Sequence, residues 1–391
     1  MNDSSTYLIA SLFPAVVAAF SFSELQIGVL VALGYLTNMI FQPLTGRLSE
    51  RYEERKLLMV GISSMAASML LFTVSSTFPA MVVSVLVLRF GSSFYHPVGV
   101  SAISRTYSGA GLDRSMGFQS SFGNLGVMFA FVLVAPLYLA LGWSGPFLIY
   151  AALQVGAVVL TSAAMPRRGD PSAARLYVDS SGGTARERDG TERGAMAQSR
   201  SPGGLNLIGL PLFFFFAALV TGGTYSVVSN FGNLFLVENG FSFTSSDFLI
   251  ASWVACAFVG AMVTGWLTGK FGRGRLLLMT YLIAGLATLL FAFSSGSLAL
   301  VVFSLGISGF MGSITYPAIY SELSAYLERS PALSRGTAYG VLFSGQIAGS
   351  AAFGLLAGYL AGAYGLRVPF MISGTMMVLY VAFVYFWTRR P

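Results

Sequence analysis

The sequence predicts an all-α, polytopic membrane protein: twelve transmembrane helices in two pseudo-symmetric six-helix bundles. Three observations carry that prediction. Apolar segments are long enough to cross a bilayer, basic residues fall on alternate loops, and the two halves of the chain repeat each other.

Of the 391 residues, 55% are hydrophobic and 9% charged. That is too little charge to keep a soluble surface of this size wet. Apolar segments run at roughly 2–22, 24–48, 56–75, 78–106, 113–142, 144–165, 204–237, 245–269, 274–294, 297–325, 334–363 and 366–388. Most reach the ~20 residues that a spanning helix needs. The breaks carry loop chemistry, as in Gly142-Trp-Ser-Gly145 and Glu238-Asn-Gly240.

Orientation follows from the basic residues. If the first span enters from the cytoplasm, the loops after even-numbered spans hold Arg47, Arg51, Arg55, Lys56, Arg105, Arg114, Lys270, Arg273, Arg275, Arg329 and Arg335. Loops after odd-numbered spans hold only Arg367. Both termini are then expected in the cytoplasm of a cell whose inner (plasma) membrane holds the protein. The same topology accounts for the net charge of +7 without nucleic acid. Residues 166–203 are rich in Arg, Asp, Glu, Gly and Ser with no apolar period. They read as a flexible cytoplasmic linker between bundles at 1–165 and 204–391.

The halves align at an offset of about 220. Gly46-Arg-Leu-Ser-Glu-Arg-Tyr-Glu-Glu-Arg-Lys56 matches Gly265-Trp-Leu-Thr-Gly-Lys-Phe-Gly-Arg-Gly-Arg275. His96-Pro97 matches Tyr316-Pro317, Arg114 matches Arg335, and Phe20-Ser-Phe-Ser matches Phe241-Ser-Phe-Thr. The repeat also sets Thr224, about fifteen residues into the seventh span, against Asp3. The first half of span one is therefore expected to be missing. Either the start lies too far downstream or the first helix is truly short. The first explanation is favoured, and it makes Asp3 a residue of the membrane midplane.

Two parallel six-helix repeats, with the loop Gly46 to Lys56, resemble the major facilitator superfamily and its signature between spans two and three. The loop departs from that signature at Glu50 and Glu53. The resemblance implies a cytoplasmic gate built from Gly46, Glu50, Arg51, Arg55 and Arg105. Ordinary topogenic charge is the alternative for the same residues. A narrower resemblance rests on Asn2-Asp3, Gly91-Ser-Ser-Phe-Tyr-His-Pro97 with Ser101 and Arg105, and Gly123-Asn124-Leu-Gly126. These residues are similar to the fosmidomycin-resistance branch. That implies proton-coupled export of a drug or other small molecule by alternating access.

Ionisable residues inside a span are costly and mark function by default. Arg89 and His96 are seven residues apart in span four, so they share one face, two turns apart. With Asp3 they make a candidate proton and anion site. Asp3 could trade a proton against an Arg89 salt bridge, His96 could titrate near neutral pH, and Arg89 could hold an anionic substrate. The plainer readings are a structural Arg89 and a His96 packed beside a proline kink. Gln42, Gln119, Asn124, Tyr225, Asn230, Tyr316 and Gln346 could extend the candidate cavity, Tyr316 first because it holds the repeat position of His96, with interhelical hydrogen bonding the plainer reading for each. Pro97 and Pro317 are expected to bend their helices. Gly354, Gly358 and Gly362 predict close helix packing, and Phe213 to Phe216 face different ways.

The expected partners are a small-molecule substrate, protons and lipid, in a monomer. Cys256 is the one cysteine and His96 the one histidine, so neither a disulfide framework nor a metal site is expected. No cofactor is expected either, since no phosphate-binding glycine loop is present. No acid, nucleophile or metal cluster suggests an enzyme. Within transport, proton-coupled uptake of a metabolite is the alternative to export; outside it, a transport-inactive receptor.

Overall fold

A computed structural model describes residues 1–99, 109–165, 212–294, 296–329 and 335–388. Among them there is helix and no strand. The helices are α1 (Asn2–Ser11), α2 (Phe13–Phe20), α3 (Glu24–Arg51), α4 (Glu54–Val74), α5 (Phe78–Ser92), α6 (Gly109–Leu141), α7 (Ser144–Ala164), α8 (Leu212–Glu238), α9 (Phe243–Phe271), α10 (Arg273–Ala292), α11 (Leu298–Arg329), α12 (Arg335–Tyr364) and α13 (Arg367–Thr388). Eleven segments are long and apolar enough to span a membrane. A twelfth is the pair α1 and α2, bent by 42°. The expected linker, 166–203, lies outside the described residues.

The repeat reappears in the packing. The third span (α4) packs on the fourth and sixth, as the ninth (α10) packs on the tenth and twelfth. The first packs on the fifth as the seventh packs on the eleventh. Between the halves, α3 lies along α12 and α6 along α9, which exchange under the same pseudo-symmetry.

Local chemistry sets the boundaries. Ser23 caps α3 in a reciprocal box with Gln26, and Ser242 caps α9 by accepting from the Ser245 amide. The two copies of the Phe-Ser-Phe motif thus start their helices from different serines. The turn between α9 and α10 needs Gly272, whose φ is 78°. Its counterpart Glu53 is extended, with φ −63°. The first copy of the loop turns without a left-handed residue, which is why it can dispense with that glycine.

The fourth span, Phe78–Gly99, carries a two-residue turn at Ser93–Phe94, where Ser93 keeps right-handed helical backbone, and regular helix resumes over 95–99. Pro97 has no amide hydrogen to bond the carbonyl of residue 93. The Thr45 hydroxyl of α3 donates to that Ser93 carbonyl instead, at 2.8 Å. Helix continues unbroken through Pro317 in α11. A bend is expected at both prolines; a turn interrupts regular helix just before Pro97, and at Pro317 the helix is not interrupted.

Candidate functional site

α1 is short of apolar residues, yet most of it is buried. Its hydroxyls are matched by α7: Ser4 Oγ meets the Tyr150 hydroxyl at 2.7 Å, and Gln154 Nε2 donates to Ser5 Oγ at 2.6 Å. These bonds fix the rotation of α1 and turn Asp3 toward the fourth and fifth spans. Asp3 Oδ1 lies 3.5 Å from His96 Nε2 and accepts from Asn2 Nδ2 at 2.8 Å. A Cβ on Gly123 of α6 would stand 2.6 Å from Asp3 Oδ2. The bare glycine therefore makes the room that the carboxylate occupies, with Asn124 next to it. The Asp3 side chain is 19% exposed and the His96 ring 52%, so the imidazole opens toward water while the acid is mostly enclosed.

Arg89 is elsewhere. The expected salt bridge is absent: Asp3 meets His96, and Arg89 makes no ion pair with an acid among the described residues. The physical reason is distance along the axis: seven residues span about 10.5 Å at ~1.5 Å per residue, so an Asp3 that meets His96 is out of reach of an Arg89 held against Tyr35. Arg89 is 8% exposed, and its guanidinium sits 4.8 Å from the centre of the Tyr35 ring. Gly34 clears its path, since a Cβ there would lie 3.1 Å from Nε.

Around Arg89 stands an aromatic cluster drawn from both halves. Tyr7 neighbours Tyr35, Tyr225 and Arg89. The Tyr7 and Tyr225 rings meet edge-on at 6.4 Å, and Tyr225 lies 4.9 Å from Trp253. Tyr316, at the repeat position of His96, is near Tyr225 and Tyr35. Two buried polar atoms here have no partner: Trp253 Nε1, and Asn38 Oδ1 one turn along α3 from Tyr35. A buried indole N–H or amide oxygen without a partner costs on the order of 1–3 kcal/mol, which a polar ligand could recover.

Other expected site residues have local duties. The Gln346 main-chain carbonyl presses on Gly222 where α12 crosses α8. Asn230 bonds back to the Ser226 carbonyl of its own helix rather than to a neighbour. At the linker end, Gly46 lies close to Pro97 and Arg51 is exposed in the last turn of α3. Arg55 donates through Nη2 to the Ser162 carbonyl at the end of α7. It caps a helix C-terminus within the first half. Arg105 and the Glu50 side chain lie outside the described residues.

Asp247 was not anticipated. In the sequence it is a single acid near the start of a span, where charge close to a loop is ordinary. In the structure it is fully buried at the far end from the linker, touching the break between α1 and α2. Tyr7, Tyr35 and Trp253 were also missed, because tyrosine and tryptophan in an apolar span carry no signal that separates a site from packing.

Twelve spans in two matched sets, with buried charge and unpartnered polar groups between them, define a multi-pass membrane transporter. The profile of the Major Facilitator Superfamily matches residues 1–236 and again 213–391, and the chain belongs to that family. The fosmidomycin resistance protein of Escherichia coli (strain K12) is 30% identical over 141 residues, 35% of this chain and 34% of its own. The cis,cis-muconate transport protein of Acinetobacter baylyi (strain ATCC 33305 / BD413 / ADP1) is 27% identical over 181 residues, 46% of this chain and 42% of its own. The matches thus span a third to about two fifths of these relatives' length. Among solved structures, a bacterial homolog of the human lysosomal transporter Spinster, inward-facing and occupied, superposes with a TM-score of 0.77 at 15% identity. It covers 99% of this chain and 94% of that one. The nucleoside transporter NupG does so at 0.72 and 14%, covering 100% and 98%. At such identities the likeness is one of fold.

Proposed function

We propose that the chain is a proton-coupled exporter of a small anionic molecule, working by alternating access from an inner membrane with both termini in the cytoplasm. The observation that carries the reading is the separation of two charged groups along the fourth span. Asp3 and His96 form an acid–imidazole pair able to take up and release a proton. Arg89, buried without an acidic partner among the described residues, is left for cargo. Its planar fork suits a carboxylate or phosphonate, and the Tyr7, Tyr35 and Tyr225 rings suit an apolar body beside that anion. Trp253 Nε1 offers one further donor. Similarity to a resistance protein supports export, and similarity to a muconate carrier supports an anionic cargo.

The test is proton flux across proteoliposomes on addition of a panel of carboxylates and phosphonates. One compound should drive a pH change that disappears in Asp3→Asn. A compound carried at full rate with no proton movement would overturn the coupling. Carriage of neutral compounds alone would overturn the role of Arg89.

A further inference from the structure

The two halves meet at the far end from the linker, and there the structure holds a set of bonds that neither the proton pair nor the cargo site uses. The first span bends by 42° where α1 ends and α2 begins. A helix end leaves its last carbonyls without intrahelical donors. Here Asn233 of α8 supplies one: its Nδ2 donates to the carbonyls of Ala10 at 2.9 Å and Ser11 at 2.8 Å. The Ser11 hydroxyl donates in return to Asp247 of α9, whose second oxygen lies 3.3 Å from Asn233 Nδ2. Asp247 and Ser11 have no exposed surface, and Asn233 has 1%.

Each half supplies what the other lacks. The first half brings two carbonyls and a hydroxyl, and the second brings an amide and a carboxylate. A carboxylate buried without a cation is tolerable only while it is well hydrogen-bonded. Pulling the halves apart at this end strips Asp247 of the Ser11 donor and frees two carbonyls at once, unless water replaces them. The arrangement is therefore stable when this end is fully shut or when it is fully flooded, and unstable between. That is the behaviour of a two-position gate.

We propose that Asp247, Asn233 and the Ser11 break form the latch that holds the cavity closed on the side away from the linker. The proposal rests on alternating access but not on proton coupling or on any cargo. It concerns which side is open, and is measured without transport.

Spin labels on Leu25→Cys of α3 and Leu298→Cys of α11, both exposed at this end, report the separation of the halves in Cys256→Ala protein in lipid nanodiscs. Without substrate, the short distance should dominate. Asn233→Ala and Asp247→Ala should move the ratio of short to long distances about tenfold toward the long one, within the usual cost of leaving a buried polar group unpaired. Ser11→Ala removes a single hydroxyl and serves if the others fail to fold; it should shift the ratio in the same direction by less. Unchanged ratios in folded Ser11→Ala and Asn233→Ala protein would overturn the latch. Restoration of the short distance by Asp247→Asn but not by Asp247→Ala would place its role in hydrogen bonding rather than in charge.

Discussion

Gly358→Ala tests how the halves touch. Gly28 of α3 and Gly358 of α12 meet backbone to backbone at the far end of the bundle. A Cβ on Gly358 would stand 2.7 Å from the Gly28 Cα and 2.9 Å from its nitrogen, and closer still to the Glu24 carbonyl. Ordinary contact begins at 3.4 Å, so the helices have to separate by at least about 0.7 Å (3.4 − 2.7), and no side chain can swing aside to spare them. Overpacking of this kind costs about 1–3 kcal/mol. The opposing gain of about 1 kcal/mol from replacing a helical glycine acts whether the halves are together or apart, and cancels. The closed arrangement should therefore lose a factor of about 5 to 150 against the open one. The same Leu25–Leu298 spin-label pair reads the change, with thermal unfolding in detergent as control for stability. An unaltered distance distribution in Gly358→Ala would refute the reasoning, because it would mean that this contact does not distinguish the two states.

Three further outcomes follow from the site. Arg89→Ala should abolish substrate-driven flux while leaving the monodisperse chromatographic peak of the folded protein unchanged, and Arg89→Lys should restore it only in part, since an ammonium lacks the planar fork. His96→Gln should remove the partner that Asp3 meets in the structure and change the pH profile of transport, as measured by initial rates in buffered vesicles. Thr45→Val should leave the Ser93 carbonyl without its outside donor, lowering stability by about 1–3 kcal/mol in thermal melts of purified protein, with little effect on substrate affinity.

Most of the span pattern was legible because lipid enforces it residue by residue. The reading of 144–165 against the observed Ser144–Ala164, and of 56–75 against Glu54–Val74, differs by no more than a couple of residues at either end. Glycine spacing in α12 also announced a close contact. It could not say with what, and the partner proved to be α3 of the other half. Of the candidate cavity, Asp3 with His96 came together as the motif suggested, whereas the Asp3–Arg89 pairing failed. Arg89 and His96 lie seven residues apart, two turns of helix, so one acid cannot meet both. Asp247 was invisible for a different reason: its burial depends on where another helix bends, and although Pro14 marks that bend just after Leu12, the sequence does not say which helix meets it.

The turn at Ser93 has a consequence for how such a protein can change over generations. It divides one span into a stretch that carries Arg89 among the tyrosines and a stretch that carries His96 beside Asp3. On the proposed function, substitutions that reshape the first could alter what is carried without touching the acid and imidazole, and a lineage built this way could diversify its cargo while keeping that pair.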